Sequence, residues 1–146
     1  CIVRRVVQVD AHSRKTAKLE ALIDEILQRG LAEQQICGAH GFYWLPQGRE
    51  DRVRNRQKMQ RFERQLEMIA AQERRAALRY VITQACGIDD GGAYYRAADL
   101  LGIPRCEVFD HHDAWHICLQ MLVDQGQIRQ RGELIFPVYP ELTPST

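Results

Sequence analysis

The residues best suited to chemistry lie in one stretch, F-D-H-H-D-A-W-H-I-C, from Phe109 to Cys118. It holds three of the chain's five histidines and one of its five cysteines. His112 and His116 stand four residues apart and so share a helix face, a spacing that can hold zinc. A zinc site needs a third ligand, and the H-E-x-x-H pattern is absent because Asp113 occupies the glutamate position. Cys106 is the nearest further ligand, while Cys118 lies about 200° round the helix from His116. C-G-A-H, Cys37 to His40, has the spacing of a finger knuckle without a second pair. His112-Asp113 also spells the dyad of metal-dependent phosphohydrolases, which need further His and Asp residues in a larger bundle. There is no Gly-rich phosphate loop and no G-x-S-x-G, and no spacing suggests a nucleophilic triad. The expectation is therefore no catalytic residue, no metal and no cofactor. In the alternative use of the cluster, Trp115, Cys118, Leu119, Leu122 and Val123 form a buried helix face and the histidines stay outside.

The elements around this cluster follow from periodicity. Residues 2–9, I-V-R-R-V-V-Q-V, read as a strand, and Ser13 or Thr16 can cap the element after it. Leu19, Leu22, Ile23, Ile26 and Leu27 share one face of a helix that Gly30 is placed to end. Two short apolar runs flank G-A-H-G and predict a hairpin closed by Pro46. From Arg49 to about Ala85 there is neither Gly nor Pro, which predicts one long helix of ~55 Å. Met59, Phe62, Leu66, Ile69, Ala76 and Tyr80 mark a stripe on it, broken at Glu73. That stripe fits a homodimer seam or a cover for the flanking units.

Punctuation is clearer beyond residue 76. One helix ends at Gly87, and I-D-D-G-G is a turn. A second helix stops at Gly102, with Pro104 beyond. The third runs from about His111 to Asp124, with Asp110 placed as its N-cap. Two apolar runs around Q-R-G-E then predict a second hairpin.

Charge is divided unevenly. The net value of +1 resolves into +1 over residues 1–48, +5 over 49–79 and −5 over 80–146. Such asymmetry bears on partners rather than on fold. The odd cysteine count without C-x-x-C points to a reducing, cytoplasmic setting. No apolar run approaches a membrane span, and Arg4 and Arg5 leave no room for a signal peptide. A chain opening on Cys1 reads as a fragment or a trimmed form.

Three helices followed by a hairpin, residues 76–139, resemble the winged helix-turn-helix family in order and spacing. Residues 16–46 resemble the second half of another such unit, of the kind found in small regulators of phages and mobile elements. I-C followed by G-F-Y-W-L closes the wing in that pattern. Residues 1–15 are too few for the two helices that should come first, so this unit is expected to be partial. The expected fold class is mainly α, an α+β winged helix. Its parts are a partial unit at 1–48, a long basic connecting helix at 49–75 and a C-terminal winged helix at 76–146.

In that family the third helix enters the major groove, and Lys and Arg hold the phosphates. The resemblance thus assigns nucleic-acid contacts to Ser13, Arg14, Lys15, Lys18 and His40 of the first unit. The basic run adds Arg52, Arg54, Arg56 and Lys58, with Asn55 and Gln57 able to bond bases, and the second wing adds Arg129 and Arg131. Residues 107–128 contain no Lys or Arg. Asp110, His111, His112 and Asp113 stand where a DNA reader would carry cations, which assigns them to a protein partner. The expected function is a DNA-binding regulatory or replication-accessory protein, with double-stranded DNA as ligand. Its acidic C-terminal unit would serve self-association or a protein partner, and a homodimer could form through the 49–85 helix. The alternative is a protein-interaction module or inhibitor of a nucleic-acid-binding protein, acting through that acidic surface.

Overall fold

The computed structural model describes residues 17–39, 41–46 and 53–139. The chain divides into two compact units, 1–50 and 51–146. The described residues are mainly helical, with two small antiparallel sheets.

In the first unit, helix α1 (Ala17–Ala32) precedes strands β1 (Cys37–Ala39) and β2 (Phe42–Trp44). The hairpin has the expected place, with Cys37 opposite Trp44 and Gly41 in the left-handed region. The helix does not stop at Gly30. It continues to Ala32, and Gln34 makes the left-handed turn at φ 56°. Gly30 instead leaves room for Ile36, whose Cδ1 would lie 3.1 Å from an added Cβ. Its carbonyl accepts the Gln35 and Ile36 N–H groups. Of the described α1 residues only Ile23 is buried, while Leu22 and Ile26 face outward. The strand predicted at 2–9 and the caps Ser13 and Thr16 lie outside the described residues.

The second unit holds helices α2 (Ala71–Ala85), α3 (Asp90–Leu101), α4 (Arg105–Asp110) and α5 (His112–Asp124), then strands β3 (Ile128–Arg131) and β4 (Leu134–Pro137). Helix α3 begins as capping rules require, with the Asp89 carboxylate accepting the Gly92 N–H at 3.1 Å. It ends at Gly102, φ 72°, whose N–H returns to Ala98 and Asp99. The hairpin pairs Ile128 with Pro137 and Arg131 with Leu134. Ile88, between α2 and α3, adds a third short edge by exchanging both backbone hydrogen bonds with Ile135, at 2.8 and 3.2 Å. No periodicity announces a one-residue strand, so this link escapes a sequence reading.

The core is the region these elements enclose. Trp115 of α5 stacks on Tyr94 of α3 with ring centroids 6.3 Å apart. Leu78, Ile82, Leu101, Leu122 and Ile135 surround them in one cluster. Cys118, Leu119 and Leu122 are buried with Trp115, as the expected inner face of the third helix requires. Asp110 is not its N-cap. It is the last residue of α4, and His111, at φ −121° and ψ 29°, is a joint between two helical segments.

The long helix over 49–85 is not formed. Residues 53–60 are non-helical, short 3-10 turns follow at Arg61–Arg64 and Leu66–Met68, and the α-helix begins only at Ala71. The absence of Gly and Pro permits a helix without stabilising one. A lone helix needs an apolar face to bury, and the run from Val53 to Arg61 offers only Val53 and Met59 among polar residues. The path taken lets Leu66 and Ile69 enter the core. It also lets Arg56 reach Glu73. A homodimer seam along a continuous 49–85 helix is thereby excluded, because Leu66 and Ile69 are inside and the helix is interrupted.

Gly102 shows how closely this segment lies on the bundle. A Cβ there would stand 3.0 Å from the Gln57 nitrogen and 3.1 Å from the Arg56 carbonyl carbon. Both neighbours are backbone and cannot swing aside, and the left-handed φ adds strain for any L side chain. Gly102→Ala is expected to cost about 1–3 kcal/mol, read as a fall in melting temperature. An unchanged midpoint would show that residues 56–57 do not rest on this turn.

Candidate macromolecule-binding surfaces

Arg56 is the basic residue that the structure removes from any binding surface. It is 5% exposed and its partner Glu73 is 4% exposed. The guanidinium donates from Nε to Glu73 Oε1 at 3.2 Å and from Nη2 to Oε2 at 2.7 Å. Its Nη1 donates to the Glu63 carbonyl at 3.1 Å, and the Arg54 N–H completes the cluster at Glu73 Oε1. A bidentate, dry ion pair of this kind is spent internally. Glu73, which broke the apolar stripe, is thus the anchor that holds residues 54–56 against α2. Asn55 and Gln57 are also engaged: Asn55 Oδ1 accepts the Gln57 N–H, and Gln57 Nε2 donates to the Asp99 carbonyl.

The remaining cations stand outside. Lys18 is exposed in the first turn of α1, and Arg54 and Lys58 are exposed beside the buried pair. Arg129 and Arg131 are exposed on β3. None of these five forms an ion pair among the described residues. Ser13, Arg14, Lys15, His40 and Arg52 lie outside the described residues.

The outer face of α5 is of different character. His112, Asp113, His116, Ile117, Gln120, Met121 and Asp124 are exposed, and none is a Lys or Arg. Ile117 is 60% exposed and Met121 37%. Arg75 of α2 flanks them, its Nη1 3.5 Å from the Met121 sulfur. Asp110 is exposed, and His111 points its Nε2 toward Glu67 Oε1 at 3.7 Å. His112 packs edge-on against the Tyr94 ring at 5.5 Å and lies parallel to His116 at 6.3 Å. The Tyr94 hydroxyl is 3.5 Å from His116 Nδ1. Burial, with help from Asp90 and the Cys118 thiol, pushes the Tyr94 pKa up to about 12, so it is a neutral phenol. Burial likewise pushes the Cys118 thiol up.

A second exposed group escaped the sequence reading because it lies just before residue 107. Arg105, in the first turn of α4, donates to Asp99 Oδ2 at 3.0 Å, and its guanidinium carbon sits 6.0 Å from the Tyr95 ring centroid. The Asp99 hydrogen bond, reinforced by its charge, raises the guanidinium pKa further. Phe109, 74% exposed, meets Tyr95 edge-on at 5.7 Å. The signal was present as R-C-E-V-F after I-P, but only the backbone places Tyr95 beside it.

No family model, curated protein or solved structure matches the chain. No described helix is long and apolar enough to cross a membrane.

Proposed function

We propose that residues 53–139 form a winged-helix unit that docks a protein partner, within a DNA-binding regulatory or replication-accessory protein of the phage and mobile-element type. The observation that carries the docking role is the outer face of α5. At the position of a recognition helix it offers exposed Ile117 and Met121 among aspartates and histidines, with no cation of its own. A phosphate backbone is held by Lys and Arg. An apolar centre with a polar rim is instead the pattern of a protein interface. The winged-helix reading rests on the order α2, Ile88 edge, α3, α4–α5 and hairpin, with Ile88 joined to Ile135.

Nucleic-acid contact falls to the exposed cations Lys18, Arg54, Lys58, Arg129 and Arg131, which form no ion pair among the described residues. Binding to random duplex DNA, measured across a salt series, tests this part. Each lost phosphate contact lowers the slope of log K against log salt by about 0.9. Arg129→Ala/Arg131→Ala and Arg54→Ala/Lys58→Ala should each reduce that slope, whereas Arg56→Lys should change stability and not the slope. Absence of duplex binding at low salt would discard the nucleic-acid role and leave the docking role alone. Ile117→Asp should leave the salt slope unchanged and abolish association with the partner, or with a second copy, in sedimentation velocity. Unimpaired association in that variant would discard the docking face.

A further inference from the structure

We propose that the partner of the α5 face brings a cationic amphipathic helix, with apolar side chains for Ile117 and Met121 and a Lys or Arg near each end for Asp113 and Asp124. This rests on the docking role given above to that face and adds the chemistry of its occupant. Asp113, Ile117, Gln120, Met121 and Asp124 are all exposed. They fall within about 100° of the helix circumference, opposite the buried Trp115, Cys118, Leu119 and Leu122. The ridge is apolar at its middle, with Ile117 60% and Met121 37% exposed, and acidic at both ends. Asp113 and Asp124 stand eleven residues apart, about 16 Å along the axis. Among the described residues neither carboxylate pairs with a Lys or Arg. Asp124 Oδ1 accepts from the neutral Gln120 Nε2 at 2.9 Å, which leaves its charge in place. The Asp113 side chain is fully exposed, 3.9 Å from His112 Nδ1.

Charge decides which occupant fits. A phosphate backbone would meet a carboxylate at each end of the ridge. A second copy fares no better. Parallel pairing of two α5 helices sets Asp113 against Asp113, and antiparallel pairing with Ile117 opposite Met121 brings Asp113 beside Asp124. Like charges so placed act against the pairing. Cations from a different protein satisfy both carboxylates, and apolar residues between them cover Ile117 and Met121. Asp113, Ile117, Gln120 and Asp124 are spaced by four, three and four residues, the seam along which a second helix packs. A partner helix of at least about three turns, with cations about eleven residues apart, matches the ridge. Arg75 of α2 lies at the Met121 flank, with its Nη1 3.5 Å from the sulfur. It repels a partner cation placed there, so the partner's Lys or Arg belong at the two ends and not beside Met121.

The test uses the full chain and fluorescein-labelled model peptides of about five helical turns, ~18 residues, with binding read by fluorescence anisotropy. One peptide sets leucines on a helical stripe and lysines elsewhere. A second replaces its lysines by glutamates, and a third scrambles the leucine and lysine order. The leucine–lysine peptide should bind, the scrambled peptide at least about tenfold more weakly, and the glutamate peptide not at all. Asp113→Asn/Asp124→Asn should weaken the leucine–lysine peptide about tenfold and flatten its salt dependence. Ile117→Ser should weaken it about tenfold and leave the salt dependence unchanged. The inference is overturned if the scrambled or the glutamate peptide binds as well, or if the leucine–lysine peptide does not bind at low salt. It is overturned equally if the double asparagine variant binds like the parent. Where Ile117→Ser alone loses affinity, the cationic partner is wrong and the docking face survives. Where neither change has an effect, the docking role falls as well.

Discussion

Glu73→Ala is expected to destabilise the second unit by about 3–5 kcal/mol, because it strands a buried guanidinium. Arg56 would lose both bonds to the carboxylate, and the Arg54 N–H would lose its acceptor. The penalty is that of an uncompensated buried charge, far above the few tenths of a kcal/mol typical of exposed pairs. Arg56 and Glu73 also tie two segments 17 residues apart, so their loss should release residues 53–60 from α2. Denaturant unfolding followed by Trp115 fluorescence in a Trp44→Phe background gives the measurement. The double variant Arg56→Met/Glu73→Leu should recover most of the loss, since apolar replacements of similar volume remove both charges together. Single-variant costs below about 1 kcal/mol that simply add in an Arg56→Ala/Glu73→Ala double variant would show that the pair is not coupled.

Trp115 should divide its two substitutions widely. Trp115→Ala empties the centre of the core and is expected to cost about 3–5 kcal/mol. Trp115 is fully buried, and its indole Nε1 has no hydrogen-bond partner. An unmet buried donor carries a desolvation cost of about 1–3 kcal/mol. Trp115→Phe removes that donor along with some volume, so the two effects oppose each other. The Phe variant should lie within about 1.5 kcal/mol of the parent, the range of well-tolerated apolar swaps. Unfolding followed by circular dichroism measures both. If Phe is as damaging as Ala, volume alone governs this site and the orphaned indole N–H has no energetic weight.

Much of the second unit was legible because its signals are local. Asp89 and Gly102 bound α3 through side-chain capping and a left-handed turn, both written in residue type. Trp115, Cys118, Leu119 and Leu122 recur at helical spacing and are buried together. Gly132 at φ 60° turns the second hairpin where Q-R-G-E placed it. The interval 53–70 misled because breakers were missing, and missing breakers are weak evidence for a helix. What decides that interval is a contact between Arg56 and Glu73, and the sequence shows both only as members of a charged run.

The candidate surfaces divide in the same way. Exposure of Arg129 and Arg131 goes with the polar run R-Q-R of β3, which buries only Ile128, and the lack of cations over 107–128 is a matter of composition. The burial of Arg56 is not, because nothing in R-V-R-N-R-Q-K distinguishes its last arginine from the two before it. Likewise the spacing of His112 and His116 places them on one face, but Tyr94, 22 residues from His116, is what holds their rings. The sequence by itself determined α3 and its Gly102 end, the inner face of α5, the two hairpins and the segmentation of charge, since each depends on residues within a few positions. Only the tertiary structure decided which charge is buried, how the 53–70 segment runs and what orients the histidines. Those outcomes depend on desolvation and on contacts between distant residues, and neither is encoded in local pattern.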